Sequence, residues 1–249
     1  TIANNLSLGI GTHWDPHYTK TLYPHFHEHP PLVFIIQSKF FQIFGHEIFV
    51  ERIYSMICCL LTAAGIMKLY NIFHNRQTQK QTSWLPVLIW ISIPIVFWSY
   101  QNNMLENTVC VFTTFSVYFF ISSTRRNRFW YAVLGSIFID LAFLAKGPVA
   151  LFPLVVPIIY YLLFPQSIKR LRYLLLSSTF IIIPFLLIFV LFMSLPEAFE
   201  NISKYFEQQV FAALRNEREI TTTFRFKIVT DLLLDLILPI LLILLVIIR

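Results

Sequence analysis

An all-α protein that crosses a membrane several times is the fold this sequence predicts, and three observations predict it. Hydrophobic residues make up 57% of the 249 residues and charged residues only 13%, with mean hydropathy +0.67. A soluble domain carries about 25% charged residues. The apolar residues fall in intervals long enough to span a bilayer, which takes about 20 residues. Lysine and arginine gather in short loops between those intervals, the asymmetry that orients membrane proteins.

The elements follow in chain order. Residues 1–47 form a first outer loop. Within it, Pro31 to Gly45 is apolar but too short to cross, and Lys39 and Gln42 interrupt it. That pattern predicts a helix lying in the membrane interface. Ile48 to Tyr70 is the first span, Trp84 to Tyr100 the second and Met104 to Ile121 the third. Phe129 to Phe164 is too long for one crossing, and Lys146-Gly147-Pro148 divides it into two shorter helices at a polar kink. Tyr173 to Leu195 and Ile228 to Ile248 are the remaining spans. Glu197 to Glu219 has helical spacing of Tyr205, Phe206, Val210 and Leu214, and is expected to run along the membrane surface as a second outer loop, residues 196–227. The chain opens in a polar loop and stops inside a helix at Arg249, as expected of a fragment of one transmembrane domain.

Three basic clusters set the orientation. Lys68, Arg76 and Lys80, then Arg125, Arg126 and Arg128, then Lys169, Arg170 and Arg172 lie on one side if each segment crosses once. That side is cytoplasmic. Residues 1–47, the Gln101–Thr108 turn, the Lys146 kink and residues 196–227 then share the outer side. The net charge of +6 has its source in these loops, which removes the case for nucleic-acid binding. Cys58, Cys59 and Cys110 lie inside apolar runs without metal-site spacing and read as small hydrophobes. With six glycines in the chain, packing through small residues is not expected to be the theme.

The ionisable residues concentrate in the outer loops. Asp15 stands between Trp14 and Pro16. It is either a turn-forming residue or a general base whose carboxylate is made more basic by aromatic walls. Six of the seven histidines precede residue 47. His25, His27 and His29 alternate, and with Glu28 and Asp15 they are candidates for a divalent cation site. Lys146 is either a lysine snorkelling to the interface or a phosphate contact, with Gly147 allowing close approach to the backbone. Arg215 and Arg218 suit bidentate phosphate binding on a side where arginine is otherwise disfavoured. Asp140 is an acid deep in an apolar run, expected to face other helices and to have a polar partner.

In their order, these features resemble the C-type membrane glycosyltransferases. They are most similar to the dolichyl-phosphate-mannose–protein mannosyltransferases and the bacterial aminoarabinose lipid A transferases. The similarity lies in Asp15, Tyr18, His29-Pro30-Pro31-Leu32, Phe44-Gly45, Arg52, the Lys146-Gly147-Pro148 kink, Tyr205-Phe206 with Gln209-Val210, and Arg215 and Arg218. The chain departs from the pattern where an acidic pair is usual at Asp15-Pro16, an Asp at Asn103 and a Lys at His29. The aminoarabinose branch has a metal-binding Glu where Glu28 stands and a His where Gln209 stands, which implies weak or absent metal binding there.

The resemblance implies a multi-spanning helical bundle with interfacial helices in its outer loops. It implies a sugar donor on polyprenyl phosphate, an extracytoplasmic acceptor that is a protein, lipid or glycan, and transfer with inversion. Asp15 would be the base. Lys146, Arg215, Arg218 and His29 would hold the donor phosphate, and Tyr18, Glu106 and Tyr205 the acceptor or sugar. A divalent metal ion at Glu28 is the one cofactor it raises. The setting it implies is the bacterial inner membrane. A transporter or channel, or a metal-binding membrane protein using the histidine loop, are the rival classes.

Overall fold

The structure, a computed structural model, describes residues 1–19, 21, 24–74, 82–126, 128–164, 179, 182–183, 185–215 and 227–248. Among these the chain is helical, and the single β-type feature is an isolated bridge between Gly11 and Pro16. This agrees with the all-α membrane fold expected from composition.

Among the described residues, three helices are long and apolar enough to cross a membrane: α3 (Ile48–Phe73), α6 (Leu105–Arg126) and α7 (Phe129–Lys146). They are preceded by α1 (Ile2–Ser7) and α2 (Leu32–Phe44), which pack on each other. Sequence reading missed α1. Its buried Ile2, Ala3 and Leu6 are too few to give a periodic signal.

The expected span from Trp84 to Tyr100 is instead two short helices, α4 (Leu85–Ile91) and α5 (Pro94–Gln101). The cause is Pro94. A proline disfavours helical geometry in the residue before it, and Ile93 is extended at ψ 120°. The kink after Lys146 is where the sequence puts it. Helix α7 stops at Gly147, with φ 80° and ψ −151°, and Pro148 starts a 3-10 helix, Pro148–Val155, that contains Pro153 and leads into α8 (Val156–Leu163).

A fourth candidate crossing pairs α9 (Phe185–Met193) with the segment Pro196–Leu214, bent by 105° at the break. That segment begins as α10 (Pro196–Tyr205) and continues through a π-helical turn, Phe206–Phe211. The expected crossing from Tyr173 lies largely outside the described residues. The apolar run expected as the last crossing is divided into α11 (Lys227–Asp235) and α12 (Ile237–Ile248).

Helices α6 and α7 are antiparallel neighbours. Gly135 receives the ring of Phe120 where any side chain would collide, and Ser116 Oγ donates to the Gly135 carbonyl at 2.9 Å. Gly65 of α3 meets Thr114 in the same way. Single glycines therefore allow close contact at two helix crossings. Polar side chains join α3, α5 and α6. Tyr54 and Thr108 hydroxyls are 2.6 Å apart, Asn107 Nδ2 donates to the Ser99 carbonyl at 2.9 Å, and Tyr100 donates to Thr62 at 3.2 Å. In lipid such bonds replace the hydrophobic drive that helices in water enjoy.

This packing sorts the loops into two ends. Arg125 donates to the carbonyl of Ile72, and Phe73 contacts Phe164, so the basic end of α6 meets the ends of α3 and α8. At the opposite end, Glu106 at the start of α6 pairs with Lys146 at the end of α7. Asp140 is buried in α7, and its Oδ2 has no hydrogen-bond partner among the described residues, so the polar partner expected for it is not found at that oxygen.

Candidate active site at the Lys146 end

Lys146 is positioned by three constraints. It closes α7, where the negative end of the helix dipole favours a cation. Its backbone turns at Gly147 in a region of conformational space open only to glycine. Its carbonyl accepts the Tyr205 hydroxyl at 3.3 Å, and the Tyr205 ring lies over Gly147 where a Cβ would collide. The buried Tyr205 thus locks the kink from α10. The ammonium then pairs with Glu106 across the α6–α7 boundary.

Lys146 and His29 form the wall between two cavities. One, of about 530 Å³, is lined by Tyr18, Gln37, Glu51, Asn103 and Glu106. Asn103 supports it with a positive φ of 49° and an amide pair with Gln37 at 3.2 Å. The other, of about 400 Å³, is lined by Glu28, Gln209 and the apolar Val149, Val210 and Leu214. Val149 and Leu214 are 72% and 75% exposed, an apolar rim open to the surroundings.

Asp15 lies elsewhere. It lines a third cavity, of about 450 Å³, with Trp14, His27, Glu200, Asn201 and Lys204, and Lys146 does not border it. Gly11, at φ 85°, allows the turn that brings Thr12 back to Asp15; Thr12 N–H donates to the Asp15 carbonyl at 3.0 Å, and Thr12 Oγ1 accepts from Asp15 N–H at 3.1 Å. His25 Nδ1 is 2.8 Å from Asp15 Oδ2, His17 Nε2 is 3.7 Å from the same oxygen, and His27 Nε2 is 3.8 Å from Oδ1. His27 is buried with Nδ1 3.0 Å from the Asn201 amide. Burial, reinforced by the charge of Lys204, pushes its pKa below the ordinary histidine value.

The structure therefore brings Tyr18, His29, Glu106 and Lys146 together, with Tyr205 bonded behind Lys146. It separates them from Asp15. Arg215 is exposed and borders a further groove with Phe189, Met193 and Phe206. Arg218 lies outside the described residues. Sequence reasoning missed Glu51 and Gln37 as cavity residues. Both sit on helices whose apolar pattern gives no sign of which polar side chain points inward.

The histidines also divide. His25 and His27 face Asp15, whereas His29 faces Lys146, so the alternating trio does not share one cation. Among the described residues the group of three metal-type donors within reach of one ion is Asp15, His17 and His25. Glu28, His29 and Gln209 line one cavity, where one carboxylate, one imidazole and a neutral amide stand beside the Lys146 ammonium. With two strong donors and a cation among them, that set fits a metal ion poorly.

The comparisons with known proteins bear on this geometry. The family model for dolichyl-phosphate-mannose-protein mannosyltransferase matches residues 28–193, from the histidine-proline turn through α9. No curated protein and no solved structure gives a match. With two thirds of the chain covered, and the spanning helices and the cavity at the Lys146 end as the physical setting, this integral membrane protein belongs to the dolichyl-phosphate-mannose–protein mannosyltransferase family and is a membrane glycosyltransferase.

Proposed function

We propose that the chain moves a sugar from a polyprenyl-phosphate donor to an acceptor hydroxyl at the outer face of a bacterial inner membrane, with Lys146 at the departing phosphate. The observation that carries this reading is the position of Lys146 on the wall between an apolar-rimmed cavity and a polar one. A lipid-linked sugar has that same division. Its chain needs apolar walls, supplied by Val149, Val210 and Leu214, and its sugar needs polar ones, supplied by Tyr18, Glu51, Asn103 and Glu106. The phosphate between them meets Lys146 and His29.

Glu106 is the acid best placed to serve as base, because it borders the polar cavity and Asp15 does not. In the resting chain its carboxylate is tied to Lys146. A donor phosphate competes for that ammonium and loosens the tie, leaving the carboxylate to accept the acceptor's proton. The acceptor oxygen then bonds to the anomeric carbon from the face opposite the phosphate, the carbon–phosphate-oxygen bond breaks, and the configuration inverts. Negative charge gathers on the departing phosphate, where Lys146 and His29 stabilise it more in the transition state than in the ground state. Arg215 borders the groove of Phe189, Met193 and Phe206, which suits a more distal stretch of the donor.

The test is direct. The full-length protein is given a radiolabelled polyprenyl-phosphate sugar and membrane extract as acceptor, and released polyprenyl phosphate is measured with the labelled product. Lipid release that depends on acceptor and disappears in Lys146→Ala supports the reading. Label transfer from a nucleotide sugar, with none from the lipid donor, overturns it.

A further inference from the structure

We propose that Asp15, His17 and His25 bind one divalent ion of the zinc class, with the His27 imidazole facing it as the fourth group. The inference concerns the first outer loop and does not rest on the transfer reading.

The local backbone builds the site. Phe26 N–H donates to the Pro16 carbonyl at 2.9 Å, which sets residues 15–17 beside residues 25–27. The neighbours of the paired Pro16 and Phe26 are Asp15, His17, His25 and His27, and their rings and carboxylate converge. The His17 and His25 rings are 5.3 Å apart, and the His25 and His27 rings 6.3 Å apart and parallel.

The distances suit a tetrahedral ion. Zinc–nitrogen and zinc–oxygen bonds of about 2.0–2.2 Å place neighbouring donors roughly 3.3–3.6 Å apart. Asp15 Oδ2 lies 2.8 Å from His25 Nδ1 and 3.7 Å from His17 Nε2, and Oδ1 lies 3.8 Å from His27 Nε2, within about half an ångström of the spacing such an ion needs between the carboxylate and each imidazole. Donor atoms of Asp15, His17 and His25 all lie within 4.8 Å of one another. Imidazole with one carboxylate selects zinc, cobalt, nickel or copper, whereas magnesium and calcium prefer oxygen throughout.

His27 supplies a separate pointer. It is 8% exposed, its Nε2 is buried without a hydrogen-bond partner, and that nitrogen is aimed at Asp15. Buried polar atoms are rarely left unsatisfied. Its other nitrogen lies 3.0 Å from Asn201 Nδ2, which donates to it; turning that amide over brings the buried, unpartnered Asn201 Oδ1 to Nδ1–H and leaves the Nε2 lone pair for the ion, the usual arrangement behind a ligating histidine. The ion would therefore fasten both segments of the first loop to α10.

The experiment uses the purified full-length protein, stripped with chelator and titrated with cobalt(II), followed by zinc competition and elemental analysis. One equivalent per chain with a tetrahedral cobalt spectrum is expected. His17→Ala/His25→Ala should abolish that equivalent, Asn201→Ala should weaken it by about 10–100-fold, and Glu28→Gln and His29→Ala should leave it unchanged. Should the double variant fail to fold, the parent protein decides through histidine acylation read by mass spectrometry. Zinc should protect His17 and His25 and leave the exposed His13 reactive. Absence of a bound equivalent in the parent, uptake unchanged in the folded double variant, loss of uptake in Glu28→Gln, or equal acylation with and without zinc would overturn the proposal.

Discussion

Gly147→Ala tests the lock that holds Lys146. The glycine has φ 80° and ψ −151°, a combination that costs a side-chain-bearing residue about 1–3 kcal/mol. The added Cβ would also lie 2.7 and 2.8 Å from Cζ and Cε1 of Tyr205. Carbon contacts are comfortable at about 3.5–4.0 Å, so the ring must move by about an ångström. Overpacking of this kind costs about 1–3 kcal/mol, and the displaced ring gives up the 3.3 Å hydroxyl bond to the Lys146 carbonyl. A total destabilisation of about 3–5 kcal/mol is expected. The assay is a double-mutant cycle in thermal or denaturant unfolding. In a Tyr205→Ala background the steric part vanishes and only the backbone part remains, so the two changes should couple by about 1–3 kcal/mol. Sugar transfer should fall with the loss of Lys146 alignment. A Gly147→Ala protein within about 0.5 kcal/mol of the parent, or one whose penalty is the same with and without the Tyr205 ring, would refute the reasoning.

Two further outcomes are expected. Asp140→Asn removes a buried carboxylate whose Oδ2 has no partner among the described residues, and should raise stability by about 1 kcal/mol in unfolding experiments; a clear fall in stability would mean that the acid is held by a group beyond those described. In a background with Cys58, Cys59 and Cys110 replaced by serine, a cysteine at Thr21 should react with an impermeant thiol reagent on intact cells and one at Arg126 should not. The reverse pattern would put the Lys146 cavity on the cytoplasmic side.

Much of the fold is legible in the sequence because it depends on patterns along the chain. The apolar runs of α3, α6 and α7 are long and little interrupted, and Lys146-Gly147-Pro148 carries its own stop signal. Pro94 also stands in plain view, yet its effect was hidden because prolines within membrane helices are tolerated when neighbours satisfy the freed backbone; here Ile93 turns extended instead. The site is less legible for a different reason. Glu106 and Lys146 are 40 residues apart, and their pairing follows from the antiparallel packing of α6 on α7 rather than from any motif. Asp15 has the neighbours of an activated carboxylate in sequence, but Trp14 turns toward Phe192, and the Pro16–Phe26 pairing turns Asp15 toward histidines and away from Lys146. Alternation suggested that His25, His27 and His29 share a face. The alternation ends at His27, and His29 looks into the other cavity.

Sugar transfer in the cavity of Lys146 and Glu106 is open to a direct test. The measurement that tests it most directly compares Glu106→Gln with Asp15→Asn in the full-length enzyme, reading lipid release from a polyprenyl-phosphate sugar. A general base contributes about 10²–10⁴-fold. Glu106→Gln should lose turnover on that scale while still binding the donor, and Asp15→Asn should keep a rate within about tenfold of the parent. Transfer that survives Glu106→Gln and collapses with Asp15→Asn would contradict the claim and move the chemistry to the histidine-lined cavity.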